Sequence, residues 1–398
     1  MGGPKASFIK LLPGKVITDK IRKNILFLHH AADWYGADKI IYNVIELLSR
    51  EHNCFIALPY HGVLNDKLKS LPISCHTFNF PVFRKKYLKI YGPFLLIVEC
   101  FIALPKLITL LINKRIDIIY SNTFTIVIGV FLAFIFRKKH CWHVHEIISE
   151  PKAFKLFIHW CARHLSHLNI CVSQAVADNI GQFPSIKVVH NGIDPIIEKP
   201  IFSRKNNQKF LIGVFGRFNS WKGQLDAVKA VQESLVEKGN KESLRLLLVG
   251  SYFENQKWWL EDVVDYIRKN NLNAYVEIRD FTEKIGVFYK TIDLFILPSI
   301  LPDPFPTVVL ESMSAGVPVI GYRHGGIVEM LQDDKDCLVA PRDYRVLAER
   351  ITYFNTHNEE REKKARKQYD FFMKNFTKEN YYKRYLPAFE VLLSLKQR

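Results

Sequence analysis

The sequence predicts an α/β protein built from two Rossmann-like, doubly wound domains that face each other across a central cleft. The chain has 398 residues, 48% of them hydrophobic, which is more than a single core usually supports. Short apolar runs alternate with stretches of helical periodicity, a pattern typical of a parallel sheet covered by helices. A segment rich in Pro, Lys and Asn at residues 195–209 interrupts this alternation, which then resumes. We therefore expect two successive domains.

The individual strands are predicted from apolar runs bounded by polar or turn residues. In the first half they fall at residues 24–28, 54–58, 116–120, 140–145 and 169–172, and in the second half at residues 210–215, 244–249, 274–278, 294–297 and 317–320. The predicted domain order follows from them: a basic lead-in at 1–23, an N-terminal domain at 24–200, a C-terminal domain at 201–375 and a last helix at 376–398 packing back on the N-terminal domain.

The net charge of +17 is concentrated in the first half, where residues 1–200 carry +12. This asymmetry favours an anionic partner, either a nucleic acid or a membrane surface, although a solvated basic face gives the same composition. Seven cysteines without any C-x-x-C pair indicate reduced thiols and a cytoplasmic protein. Residues 93–112 contain Glu99, Pro105 and Lys106, and residues 124–136 are too short to cross a bilayer, so neither segment is predicted to span a membrane.

Two cations follow the predicted strand at 210–215 and precede a helix. Arg217 can hold two oxygens of a pyrophosphate through its planar guanidinium, Lys222 supplies a compact charge, and the N-terminus of the next helix adds its dipole. Ordinary surface charge on a turn would look the same in isolation. The position at the carboxyl end of a strand favours a phosphate site.

Two carboxylates follow the strand at 294–297. Pro306 suits the beginning of a helix, which places Glu311 in its second turn among apolar residues and Asp303 in the preceding loop. A buried carboxylate needs hydrogen-bond donors, and ribose or sugar hydroxyls can supply them. The alternative is that Glu311 caps a neighbouring backbone group.

The chain, with these motifs, resembles the retaining glycosyltransferases of family 4, which have the GT-B fold. The resemblance covers nearly the whole chain after the lead-in. The matching segments are residues 191–194, 216–217 with 222–223, 303–311, 316–320, 325–329 and 338–341. Several ordered matches are specific where any single one would be weak.

The resemblance implies a role for each matching residue. Arg217 and Lys222 would bind the donor diphosphate, and Glu311 the nucleotide ribose. Asp303 stands where the family usually has Glu and would contact sugar hydroxyls. Pro306 replaces a frequent Gly, so amide donation to the ligand would pass to neighbours such as Phe305 or Thr307.

The N-terminal half contributes the other side of the expected site. His143 and His145 share one face of a strand, but no acidic cluster accompanies them, so we expect no metal there. The resemblance places His145 at the cleft near the donor sugar and the acceptor, whereas His143 is expected to be a satisfied core histidine. Gly36 lies in a loop that resembles the family's glycine-containing first loop and would let backbone amides approach the ligand.

These observations together predict a metal-independent glycosyltransferase. The donor is a nucleotide diphosphate sugar, by default a UDP-sugar, and the acceptor is a glycan or a lipid-linked glycan in polysaccharide synthesis. No cofactor and no nucleic acid are expected, while an anionic membrane surface is a further candidate partner at the inner face of the membrane. A sugar-nucleotide epimerase on the same fold and a basic nucleic-acid-binding protein remain as alternatives.

Overall fold

The computed structural model of the protein describes residues 22–202, 209–238, 244–252 and 256–395. Two parallel sheets form its framework. The first half of the chain forms a sheet of seven strands, and the second half forms a sheet of six strands. The strands of the first sheet are β1 Asn24–His29, β2 Asn53–Leu58, β3 Ser74–Thr77, β4 Ile118–Asn122, β5 Lys139–Val144, β6 Leu168–Cys171 and β7 Ile186–Val188. Those of the second sheet are β8 Phe210–Phe215, β9 Leu244–Val249, β10 Val276–Arg279, β11 Leu294–Leu297, β12 Val319–Tyr322 and β13 Leu338–Val339.

Both sheets have doubly wound topology. The strand order is β3-β2-β1-β4-β5-β6-β7 in the first and β10-β9-β8-β11-β12-β13 in the second, and all paired strands are parallel. In each sheet the order reverses beside the first strand, β1 or β8, which creates a crevice at the carboxyl ends of the strands. The predicted fold class, two doubly wound α/β domains, is confirmed.

Helices cover both faces of the two sheets. In the first half they are α1 Gly36–Leu48, α2 Val63–Leu68, α3 Gly92–Asn113, α4 Ile128–Ile135, α5 Lys152–His164 and α6 Gln174–Ile180, with a single 3-10 turn at Lys85–Leu88 before α3. In the second half they are α7 Gln224–Lys238, α8 Trp258–Lys269, α9 Gly286–Tyr289, α10 Thr307–Ser314, α11 Ile327–Met330, α12 Tyr344–Thr356, α13 Asn358–Asn375 and α14 Lys378–Ser394.

The last helix, α14, returns to the first sheet. Tyr381, Tyr385 and Phe389 are buried in the same hydrophobic cluster as residues of α1, β1 and β2. The Tyr385 hydroxyl donates to the Tyr120 hydroxyl on β4 over 2.9 Å. The core of the first domain is therefore completed by the end of the chain.

The strand boundaries differ in places from those that the sequence predicts. The strands predicted at residues 116–120 and 317–320 each begin and end two residues later in the structure, and β3, β7 and β13 are additional. These three are edge or near-edge strands of two to four residues. The basic lead-in at residues 1–21 lies outside the described part of the chain.

Candidate active site

A cleft of about 720 Å³ separates the carboxyl ends of the two sheets. Residues from both domains line it, and every site residue proposed from the sequence is among them: Gly36, His145, Arg217, Lys222, Asp303, Phe305, Thr307 and Glu311. These positions come from four separate loops, which follow β1, β5, β8 and β11. The parallel topology explains why they converge on one place.

The turn from β8 to α7 presents Arg217 and Lys222. Two glycines with positive φ shape it, Gly216 at +144° and Gly223 at +71°. A Cβ atom on Gly223 would lie 1.8 Å from the carbonyl oxygen of Pro298, so only glycine permits this approach to the end of β11. The Arg217 guanidinium lies over the Tyr35 ring, 4.1 Å from its centroid.

Lys222 and Asp303 form an ion pair across two loops of the second domain. The Lys222 ammonium donates to Asp303 Oδ2 over 2.5 Å, and the side chains are 18% and 9% exposed. Asp303 is held on its other side by Gly326, whose amide donates to the Asp303 carbonyl over 2.8 Å. Gly325, with φ of +68°, leaves no room for a Cβ atom beside the same backbone. Asp303 thus orients the lysine charge towards the cleft.

Glu311 is buried on α10 with a partner for each carboxylate oxygen. The Tyr289 hydroxyl donates to Oε2 over 3.2 Å, and Lys39 on α1 of the other domain donates to Oε1 over the same distance. The bond to Lys39 crosses the cleft. The carboxylate that the family resemblance assigns to the nucleotide ribose is therefore paired with a lysine of the opposite domain.

The first loop touches the second domain at two more places. A Cβ atom on Gly36 would lie 3.1 Å from Oγ1 of Thr307, so the missing side chain allows α1 to approach the N-terminus of α10. The Tyr35 hydroxyl lies 2.9 Å from the Ser251 hydroxyl. In this structure Gly36 serves contact between the domains, which the sequence analysis did not foresee.

His145 is the end of a buried polar chain in the first domain. Asp38 Oδ1 lies 2.7 Å from His29 Nε2, His29 Nδ1 lies 3.0 Å from the Asn122 amide nitrogen, and Asn122 Oδ1 lies 3.1 Å from His145 Nε2. Because the amide nitrogen donates to His29 and its oxygen accepts from His145, the His145 proton resides on Nε2. Its Nδ1 then carries a lone pair.

Burial, together with the neighbouring His29 and His30, lowers the pKa of His145 to about 3. The imidazole is therefore neutral at physiological pH and can accept a hydrogen bond at Nδ1. His143 is fully buried, and neither of its ring nitrogens has a hydrogen-bond partner. The expectation of a satisfied core histidine is wrong for His143, because its ring packs against His145 and Tyr120 rather than polar atoms.

Glu146 follows His145 and also lines the cleft. Burial raises its pKa to about 7, although the amides of Phe124 and His145 donate to its Oε2 and partly oppose the shift. The sequence analysis did not single it out. Its position after the carboxyl end of β5, where ligands bind in this fold class, would have indicated it.

A second contact between the domains lies beside the cleft. Glu329 on α11 accepts hydrogen bonds from the amides of Gln174 and Ala175, at the beginning of α6, over 2.8 and 2.9 Å. The same carboxylate lies 2.7 Å from His190 Nε2, and the His190 ring stacks on Phe305 with centroids 5.1 Å apart. Burial alone would raise the pKa of Glu329, but these hydrogen bonds lower it below its ordinary value.

Within the described residues, no group of three or more His, Cys, Asp or Glu side chains is arranged to hold a metal ion. The acidic segment at 333–336 pairs with cations: Asp333 with Arg323, and Asp334 with Lys364 at 2.7 Å. Positive charge at the cleft comes from Arg217, Lys222 and Lys39.

Comparison with known proteins agrees with this geometry. Residues 34–196 match the profile of the Glycosyltransferase Family 4 domain, and residues 196–392 match that of Glycosyl transferases group 1. The chain is 24% identical over 271 residues to the trehalose synthase of Pyrococcus horikoshii, covering 62% of each protein. It is 26% identical over 122 residues to the lipopolysaccharide 1,2-N-acetylglucosaminetransferase of Salmonella typhimurium, covering 30% of this chain and 31% of that one. The first curated relatives are matched over at most 62% of their length.

Among solved structures, Anabaena HepE in complex with UDP and glucose superposes with a TM-score of 0.77. The match covers 93% of this chain and 99% of HepE at 21% sequence identity. At that identity the likeness concerns the fold, and it extends over both domains.

Proposed function

Because the chain belongs to the family 4 type of glycosyltransferases with the GT-B fold, we propose that it transfers a sugar from a nucleotide diphosphate donor. The proposed donor is a UDP-sugar and the proposed acceptor a glycan or lipid-linked glycan used in cell-surface polysaccharide synthesis. HepE binds UDP and glucose, and the matched Salmonella relative acts on lipopolysaccharide, which supports these choices. The anomeric configuration is retained in this proposal.

One observation carries the proposal: Arg217, the Lys222–Asp303 pair and buried Glu311 lie on one wall of a cleft whose other wall holds neutral His145. When the bond between the anomeric carbon and the diphosphate oxygen breaks, the leaving group takes the electron pair. Arg217 and Lys222 stabilise that negative charge. The acceptor oxygen forms the new bond at the anomeric carbon and passes its proton to the departing diphosphate, while the neutral His145 ring accepts a hydrogen bond from a sugar hydroxyl.

The protein's own cations act on the diphosphate, so we propose that no metal ion is required. We also propose that the reaction takes place at the cytoplasmic side of the membrane, which agrees with the seven unpaired cysteines.

Activity that survives EDTA would support the proposal that no metal ion is required. Loss of activity in EDTA with recovery in Mg²⁺ would refute it.

Calorimetry with UDP on two isosteric variants tests the assignment of the two carboxylates. Glu311→Gln should weaken UDP binding about tenfold, because an ionised oxygen accepts a ribose hydroxyl more strongly than an amide does. Asp303→Asn should leave UDP binding within twofold and lower the rate of sugar transfer. The reverse pattern would exchange the two roles.

A product assay decides between transfer and epimerisation. Incubation with a UDP-sugar and acceptor should yield a glycoside whose anomeric proton coupling matches that of the donor. Conversion of the UDP-sugar into an epimer with no acceptor present would replace the proposed activity by the alternative.

A further inference from the structure

The first half of α3 exposes apolar side chains to solvent. None of residues 94–102 is buried, and Phe94, Phe101 and Ile102 are 72%, 72% and 59% exposed. The charged residue in this stretch, Glu99, is already paired with Lys86 at 2.5 Å. A surface helix normally turns its apolar stripe towards the core, so an apolar surface of this extent indicates a partner.

The neighbouring helices extend this surface. On α4, Phe134 and Ile135 are 64% and 66% exposed, and on α5, Leu156 and Trp160 are 71% and 53% exposed. The rings of Phe131 and Phe157 stack with centroids 6.2 Å apart and join α4 to α5. α3 and α4 also share one buried cluster beneath them. We call the exposed apolar side chains of α3, α4 and α5 the apolar face.

Basic residues surround the apolar face. Residues 84–163 contain 13 Lys and Arg against four Asp and Glu, which gives +9 of the chain's total of +17. Lys89 lies before α3, Lys106 within it and Lys152 at the beginning of α5, and all three are exposed. The charge around the apolar face is thus complementary to an anionic surface.

We propose that the apolar face docks on an anionic lipid bilayer and inserts its exposed side chains into the headgroup boundary. Apolar side chains rimmed by Lys and Arg, with a Trp among them, are the combination that binds such an interface. The contact is peripheral, and no segment crosses the bilayer in this proposal.

The packing of α3 explains why docking is favoured over spanning. Within the described residues, Phe94–Asn113 is the one helix long and apolar enough to cross a membrane, and 22% of its most apolar window is buried. Those buried positions, including Ala103, Leu107, Leu110 and Leu111, belong to the cluster on the first sheet. α3 would have to leave the domain core to span a bilayer, whereas docking uses the surface it already exposes.

The apolar face is connected to the cleft. The Arg84 guanidinium donates to the carbonyl of His30 over 3.4 Å, and His30 lines the cleft. Phe83 stacks on Phe154 of α5 with centroids 3.9 Å apart. A lipid-linked acceptor in the docked bilayer would therefore present its headgroup beside His145. This last step rests on the proposed function, whereas the docking itself does not.

Vesicle co-sedimentation of the full chain tests the proposal without any sugar donor. The vesicles consist of phosphatidylcholine alone or with 30% phosphatidylglycerol. The charge variant carries Lys89→Glu, Lys106→Glu and Lys152→Glu, and the apolar variant carries Phe94→Ser, Phe101→Ser and Leu156→Ser. Matched controls in the second domain, also exposed, are Lys269→Glu, Lys290→Glu and Lys374→Glu for charge, and Val236→Ser with Val287→Ser for apolar surface.

We expect binding to the anionic vesicles only, weakened by high salt. The charge variant should bind at least about 100-fold more weakly, since each cation contributes about fivefold and three are not only removed but reversed, and the apolar variant at least about tenfold more weakly. The controls should bind like the wild type. Equal binding to both vesicle types, no binding by the folded wild type, or equal losses in the controls would overturn the proposal. A dimer in sedimentation equilibrium that the apolar variant abolishes, without vesicle binding, would assign the apolar face to a second copy of the chain.

Discussion

The buried hydrogen bonds that run from Asp38 through His29 and Asn122 determine which ring nitrogen of His145 carries the proton. Each link is a hydrogen bond of 2.7 to 3.1 Å, and the Asn122 amide can satisfy both neighbours in only one orientation. That orientation leaves Nδ1 of His145 unprotonated. Burial then keeps the ring neutral, with its pKa at about 3. At this position the first domain therefore supplies a neutral hydrogen-bond acceptor rather than a cation.

Two of the three cations at the cleft, Arg217 and Lys222, belong to the second domain, and their loss should slow the reaction more than it weakens substrate binding. We expect Arg217→Ala and Lys222→Ala each to lower kcat by roughly 10- to 1000-fold, the range for single electrostatic donors. Steady-state kinetics measures this, with Lys257→Ala, an exposed lysine of the same domain, as the control. Wild-type kcat in both variants would remove them from the mechanism.

The raised pKa of Glu146 makes a prediction about stability. Its pKa is about 7 in the folded protein and near 4.5 when unfolded, so the folded state holds more protons between these values. Stability contributed by this group is therefore full below about pH 4.5 and falls as the pH rises towards 7. Glu146→Gln should be more stable than wild type at pH 8, by at most about 3 kcal/mol, and should lose most of that advantage at pH 4.5.

Thermal unfolding of wild type and Glu146→Gln across this pH range measures the difference. Glu150→Gln, which changes an exposed carboxylate in the same loop, is the control. An advantage of Glu146→Gln that is independent of pH would show that the carboxyl does not titrate near 7.

At the scale of elements, the sequence predicts the long buried strands well and the short edge strands poorly. β1, β4 and β5 are buried at five or six positions each, so they produce continuous apolar runs. β3 is half exposed, β7 has three residues and β13 has two. Segments this short do not show periodicity, and their pairing depends on a neighbouring strand that lies elsewhere in the chain.

The residues of the candidate site likewise fall into those that local sequence patterns reveal and those that only the fold reveals. Arg217, Lys222, Asp303 and Glu311 lie in local motifs at strand ends, which the sequence displays directly. Their partners across the cleft, such as Lys39 272 residues before Glu311, cannot be inferred from local patterns. Asn122 follows a buried strand and is polar, but only the fold shows that it joins two histidines.

The contribution of the contact between α11 and α6 to stability can be measured with a single substitution. Glu329→Ala removes two bonds to backbone amides and one to His190, and it leaves those donors without their acceptor. We expect the free energy of unfolding to fall by about 1–3 kcal/mol, the range for charged hydrogen bonds in partly buried places. Urea denaturation of this variant beside Glu359→Ala, an exposed glutamate on α13, measures the change. Equal stability of both variants would mean that the contact contributes nothing.

At the scale of the whole molecule, the two domains contact each other through side chains that the proposed function assigns to the donor. Lys39 pairs with Glu311, and Arg217 stacks on Tyr35, both across the cleft. If a nucleotide binds to Arg217 and Glu311 as proposed, it exchanges some of these contacts for its own. Its affinity is then lower than the contacts to the nucleotide alone would give, because the contacts between the domains compete with it.

This competition leads to a prediction for Lys39. Lys39→Met keeps the approximate length of the side chain but removes the charge that is paired with Glu311. If the ribose takes the place of Lys39, the variant should bind UDP a few-fold more tightly, since an ion pair whose lysine is partly exposed contributes on the order of 1 kcal/mol. Calorimetry with UDP on Lys39→Met, with Lys69→Met as a control on an exposed ion pair within the first domain, measures this effect. Weaker UDP binding would contradict competition and would instead place the Lys39 ammonium against the nucleotide, as a third cation supplied by the opposite domain.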